Sequence, residues 1–233
     1  VTTRSADSDI TDSAAAATAY ACGIKTKNGY LGVDANQKPC RTLAEKALEK
    51  GFFVGIASTD METGATPSAF YAHVPNRHEA DTIRQYLTHA RQHMRIQVAG
   101  KSLLSETNAL LAAAAESGKP FFIMLEGALI DTKSHENKLE AMKDALFDFD
   151  AAVRAALAFA AVRSDTTVVV TADHETGGLT PACVFTTRKH TGVAVPLWAA
   201  GARAELFKGT HDNTQINHLI HGILFDNTRE RPN

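Results

Sequence analysis

Four short apolar runs punctuate this chain, and amphipathic stretches fill the intervals between them. The runs are Phe52 to Ser58, Phe121 to Leu125, Thr167 to Thr171 and Val193 to Ala199. Each is short, apolar and bounded by polar or Gly/Pro positions, the pattern of a buried strand. Between them TLAEKALEKG, residues 42 to 51, reads as a helix closed by Gly51. SLLSETNALLAAAAESGKP, residues 102 to 120, reads as a second helix that stops at Gly118 and Pro120. The longest helical pattern runs from about Glu136 to Val162, with Leu139, Met142, Leu146, Phe149, Val153, Ala156 and Ala160 stepping by three and four. That stripe is expected to face a sheet.

Strands alternating with helices predict an α/β fold with a doubly wound, mostly parallel sheet sandwiched by helices. Ligand sites in such sheets lie beyond the carboxyl ends of the strands. No tandem repeat or Pro/Gly-rich linker divides residues 1–233, so the chain reads as a single domain. The segment from about 75 to 101, rich in Arg and His, is a candidate surface insertion.

Composition narrows the picture only a little. The 233 residues are 44% hydrophobic and 21% charged, which suits a globular domain with a sizeable core. A net charge of -2 provides no basic field, so nucleic acid is not an expected partner. No apolar run approaches the roughly 20 residues that a membrane helix needs, so no transmembrane segment is expected. The opening VTTRSADSDITDS has no basic stretch followed by an apolar one, so it does not read as a signal peptide. Cys22, Cys40 and Cys183 lack metal-ligand spacing, and at most one disulfide can form among them.

The polar residues that follow the strand runs carry the chemistry. EGALIDTKSH places Glu126, Asp131 and His135 close together, with the last two on one face if the segment is helical. TADHETGG sets Asp173 and His174 side by side at a strand end, and RKHTG supplies His190. Zinc favours such nitrogen and carboxylate donors, and this many of them suits two metals about 4 Å apart that clamp an in-line displacement. In DSAAAATAYACG, Ser13 opens a small-residue helix, and a helix start stabilises phosphate through its free N–H groups. Taken singly, each piece has an ordinary explanation. His135 and His190 read as surface histidines, Glu126 and Arg77 as solvated charges, and Asp12 or Ser13 as a helix cap.

Taken together, the order of TDSAAAATA, ATPSAFYAH followed by Arg77, FFIMLEGALID with His135, VVVTADHETGG and HTG resembles the alkaline phosphatases. The resemblance implies hydrolysis of phosphate monoesters through a phosphoserine at Ser13, with Arg77 as the phosphate clamp. It implies Asp131, His135 and His190 as ligands of one zinc, Asp173 and His174 as ligands of a second, and Glu126 and Thr66 as ligands of a magnesium-type site. It also implies a homodimer and a periplasmic, secreted or cell-surface location.

The chain departs from the family pattern in three places. Gly64 stands where the family usually has Asp or His tuning the third metal, so weak magnesium occupancy is expected. Thr132 stands where some members have Lys. The family also has a strand ending in a bridging Asp, within a Gly-Asp-Gly-Met-like turn, before the serine block. Residues 1 to 12 hold no such segment, and Asp7 and Asp9 lack its context. The expectation is therefore a domain incomplete at its N-terminus. The competing readings are a phosphodiesterase or other phosphotransferase of the same superfamily, and an inactive metal- or phosphate-binding remnant. A sulfatase is disfavoured because the C/S-x-P-x-R context is absent.

Overall fold

The computed structural model describes residues 1–100 and 102–226. Its centre is β1 (Phe53–Ser58), which is buried along nearly its whole length. It pairs in parallel with β2 (Arg95–Gln97) on one side and β3 (Phe121–Glu126) on the other. The period of two along a strand sends alternate residues to opposite faces. Val54 and Ile56 pack with Ala44, Ala47, Leu87 and Ala90 on one face, while Phe53 and Ala57 pack with Leu103, Leu110 and Ala152 on the other. Helices therefore cover both faces, as the alternation predicts. Burying a Val or Ile side chain fully is worth roughly 1.5–3 kcal/mol, so β1 is a principal source of stability. Gly55 lets a helix approach closely, since a Cβ there would lie 3.0 Å from Leu110.

Local signals set the helix ends. In α1 (Ser13–Cys22) the Asp12 side chain accepts from the Ala15 amide, and Gly23 closes the helix with φ 76°. Because α1 is almost entirely Ala, Thr and Ser, it is buried all round. Thr42 and Glu45 form a reciprocal capping box at the start of α2 (Leu43–Glu49). Gly51 follows this helix with φ 77°, as its place in the sequence suggests. After α3 (Ala65–Ser68), α4 (Ala80–Ala90) and α5 (Leu103–Ser117), Gly118 ends α5 with φ 63°.

Four expectations are corrected. The long helix is two, α6 (Leu129–His135) and α7 (Leu139–Ala161), because the backbone breaks at Asn137, which has φ 55°. On α7 the buried residues are Met142, Ala152 and Ala160, with Phe149 packed against the β1 layer, while Leu146 is exposed. Residues 75–100 are not confined to the surface. They supply α4 and β2, and their Ile83, Leu87, Ala90, Met94 and Ile96 are buried in the core. The strand expected at Val193–Ala199 is β7 (Leu197–Gly201), beginning after Pro196, which cannot donate to a ladder. It runs antiparallel to β4 (Thr167–Thr171).

The remaining elements are the short antiparallel pair β5 (Glu175–Thr176) and β6 (His190–Thr191), a 3-10 turn (Ala204–Phe207), and α8 (Asn213–Phe225). Asn217 of α8 donates to the Tyr20 carbonyl, and the Tyr20 hydroxyl donates to the Ala172 carbonyl, 2.9 Å away. Those bonds tie α1 to the end of β4. Cys22 and Cys40 form a disulfide, and Cys183 is free and exposed. No helix among the described residues is long and apolar enough to cross a membrane.

Candidate metal and phosphate site

The carboxyl ends of β1, β3 and β4 point toward one region, and the N-terminus of α1 enters it from the side. β3 ends on Glu126, α6 then carries Asp131 and His135, β4 leads to Asp173 and His174, and β6 brings His190. Asp131, His135 and His190 each place one donor atom within 4.8 Å of the other two.

Hydrogen bonding fixes how the two histidines face this point. His135 Nδ1 lies 2.6 Å from the Arg188 carbonyl, and His190 Nδ1 lies 2.9 Å from that of Thr11. A carbonyl only accepts, so each Nδ1 carries a proton, and in the neutral ring Nε2 then offers its lone pair. Those two Nε2 atoms are 3.1 Å apart, and each is near Asp131 Oδ1, at 3.3 and 3.6 Å. Two imidazole nitrogens and a carboxylate oxygen thus converge on one point, a donor set that a cation would satisfy. This group opens to solvent, with Asp131 and His135 side chains 34% and 38% exposed.

The second group is deeper. His174 Nε2 lies 3.1 Å from Asp173 Oδ2 and 3.0 Å from Ser13 Oγ. Thr176 donates to Asp131 Oδ1, and its hydroxyl oxygen is 3.2 Å from His174 Nδ1. One threonine thus orients a residue of each group. The His174 and His190 rings stack at 3.5 Å.

The electrostatics follow from burial set against these neighbours. Desolvation alone would lower His174, but the adjoining Asp173 carboxylate holds it above the ordinary value. Desolvation would likewise raise Asp173, and His174 holds it below. His190 is lowered by burial and by the charge of His174. Desolvation pushes Glu126 up to about 8 despite the opposing effect of the Ser58 and Thr66 side chains, and the charges of Asp173 and Asp60 add to the rise.

Ser13 occupies the first position of α1. Arg77 donates to Asp12 Oδ2 at 3.1 Å, beside that helix start. Asp12 Oδ1 accepts from the Ala15 amide and Oδ2 from the Gly29 amide, both at 3.0 Å. The Thr66 side chain, on α3, opposes the rise in the Glu126 pKa, which places it near that carboxyl. Ser13, Arg77, Thr66 and Glu126 therefore lie in the same region as the Asp131 and Asp173 groups. Thr176, Ser58 and Asp60 also stand here although no motif marks them, and Asp12 is more than a cap, since it also holds Arg77 and the Gly29 amide.

Residues 1–109 and 89–184 match the family model described as "Alkaline phosphatase". The chain belongs to the alkaline phosphatase family. It is similar to alkaline phosphatase of Schizosaccharomyces pombe, 30% identical over 260 residues that cover 76% of this chain and 48% of that protein. Alkaline phosphatase 4 of Bacillus subtilis is 29% identical over 75% of this chain and 51% of its own length. The chain thus spans about half the length of these curated relatives. Among solved structures, alkaline phosphatase from the Antarctic bacterium TAB5 superposes with a TM-score of 0.89 at 28% identity, over 96% of this chain and 86% of that one. A variant of the TAB5 protein, with a TM-score of 0.87 and 27% identity over 96% of this chain and 87% of that one, has Mg bound in its M3 site.

Proposed function

We propose that this chain forms the reaction centre of a phosphate monoester hydrolase that works through a phosphoserine at Ser13. The observation that carries the reading is the pair of imidazole and carboxylate clusters: His135, His190 and Asp131 in one, and His174 and Asp173 beside Ser13 in the other. The donors fit zinc, which takes imidazole nitrogen and carboxylate oxygen. Glu126 and Thr66 offer only oxygen, which fits magnesium, the ion held by the TAB5 variant.

The chain's own residues then divide the work. Bound zinc would supply Lewis acidity that activates the serine hydroxyl and the hydrolytic water and neutralises charge on the phosphoryl group. Ser13 Oγ attacks phosphorus and the ester P–O bond breaks, releasing the alcohol; water then attacks the phosphoserine, releasing phosphate and restoring the hydroxyl. The Ser13 and Ala14 amides, at the start of α1 and ahead of the capped Ala15 amide, are free to face the incoming phosphate. Arg77 spends one nitrogen on Asp12, which leaves others of its planar fork for phosphate oxygens. A site that grips the phosphate and little else suits monoesters of many alcohols.

The Cys22–Cys40 disulfide supports an oxidising location, periplasmic, secreted or at the cell surface. Family likeness supports a homodimer. The test is to incubate the full-length, zinc-loaded protein with a labelled monoester and quench in acid. Label is expected on Ser13, with monoesters turned over far faster than diesters. Ser13→Ala is expected to lose the label and several orders of magnitude in turnover. Label on another residue, or preference for diesters, would overturn the reading.

A further inference from the structure

The third donor set is short of charge in one place and carries an unassigned carboxylate in another. Gly64 offers no side chain just before Thr66. The space a side chain would enter there is filled: a Cβ on Gly64 would lie 2.3 Å from Asp60 Oδ2 and 2.7 Å from the Asp60 Cβ. Asp60 stands at the carboxyl end of β1, two residues after Ser58.

Its placement is tightly specified. The Asp60 amide donates to Ser58 Oγ at 2.9 Å, and that same hydroxyl donates to Glu126. The Asp60 carbonyl accepts from the Ala99 amide at 2.6 Å, and the Ser58 carbonyl from that of Gly100 at 3.3 Å, so the stretch after β2 buttresses the turn. Asp60 Oδ1 accepts from the Met61 amide at 2.8 Å. Among the described residues Oδ2 has no hydrogen-bond donor, and it is this oxygen that lies against Gly64.

We propose that Asp60 supplies the carboxylate which, with Glu126 and Thr66, holds the third divalent cation, delivered from the end of β1 into the space that Gly64 leaves open. This rests on the metal-site reading above and goes beyond it by assigning a residue and an ion preference. A carboxylate that reaches the site from position 60 does the work of one at position 64, and the glycine is what makes room for it. All three donors are then oxygens, two of them anionic. Such a set prefers magnesium to zinc, because zinc gains most from imidazole and thiolate. The weak magnesium site expected from Gly64 alone becomes a site with its charge restored.

The measurement is calorimetric titration of magnesium into the full-length, zinc-loaded protein, with zinc content determined in parallel. The unmodified protein is expected to bind one magnesium saturably. Asp60→Asn, nearly isosteric, should weaken that binding at least tenfold and leave the zinc content unchanged. The exchange variant Asp60→Gly/Gly64→Asp should recover most of the affinity. Gly64→Asp alone, which forces two side chains into one space, should not tighten it. Unchanged magnesium affinity in Asp60→Asn overturns the proposal while the zinc-site reading stands. An unmodified protein that binds no zinc overturns both.

Discussion

Replacing Asp12 with Ala tests how the helix that presents Ser13 is anchored. One carboxylate makes three contacts: the α1 cap to Ala15, the Gly29 amide, and Arg77. Losing an N-cap costs about 1 kcal/mol. Leaving the Gly29 amide without its acceptor costs about 1 kcal/mol more. The ion pair is worth roughly 0.5–1 kcal/mol, because its partners are only 29% and 21% exposed. Asp12→Ala should therefore lower stability by about 2–3 kcal/mol, read as a lower urea midpoint at unchanged slope. A double-mutant cycle with Arg77→Ala separates the parts, since only the ion pair appears as coupling. The expected coupling is the smaller share, with most of the loss persisting in the Arg77→Ala background. If Asp12→Ala costs nothing in that background, Asp12 is not the anchor of α1 and acts only through the arginine.

Two further outcomes follow from the same geometry. Zinc analysis of His190→Ala should show loss of about one equivalent with the Asp173/His174 site retained, and full zinc content would mean the ligands are wrongly grouped. His73 Nε2 lies 2.9 Å from Glu45. Although burial opposes both shifts, their hydrogen bond raises His73 above its ordinary value and lowers Glu45 below its own. The Glu45 contribution is present above about pH 4.5 and fades as pH falls through its lowered folded value. The His73 contribution is present below about pH 6.5 and fades as pH rises through its raised folded value. Stability from this pair should therefore peak between those limits and decline on either side, and His73→Gln should flatten the difference; an unchanged profile would remove the pair from the pH dependence.

How the fold could be read from the chain depends on how local each signal is. The core strand β1 and the stops at Gly51 and Gly118 were legible, because apolar runs and glycines act within a few residues. The break at Asn137 was not, since an asparagine in a left-handed conformation interrupts a helix without interrupting its apolar period. Leu146 fits the stripe and still points to solvent, because α7 packs chiefly through Met142, Phe149, Ala152 and Ala160. The Arg- and His-rich segment 75–101 looked peripheral by composition. Its buried residues, Ile83, Leu87 and Ala90, recur at three and four on one face of α4, and that periodicity outweighs the surrounding charge.

The site divides in the same way. Ser13, Asp131, His135, Asp173, His174 and His190 stand in short blocks whose order along the chain suggests a shared chemistry before any contact is known. The contacts that orient them span the chain: Ser13 meets His174 across 161 residues, and His190 meets the Thr11 carbonyl across 179. No local pattern encodes such closure. Thr176 is different, because it lies two residues beyond His174 where the chain enters β5, and alternate residues on a strand share a face. The strand period of TADHETGG therefore turns its hydroxyl to the same side as the histidine. Asp60 gives a parallel signal: a carboxylate at a strand end and a glycine four residues on, in the place where a charged side chain is expected. The proposed role of Asp60 would place at the end of β1 the acid that Gly64 cannot supply.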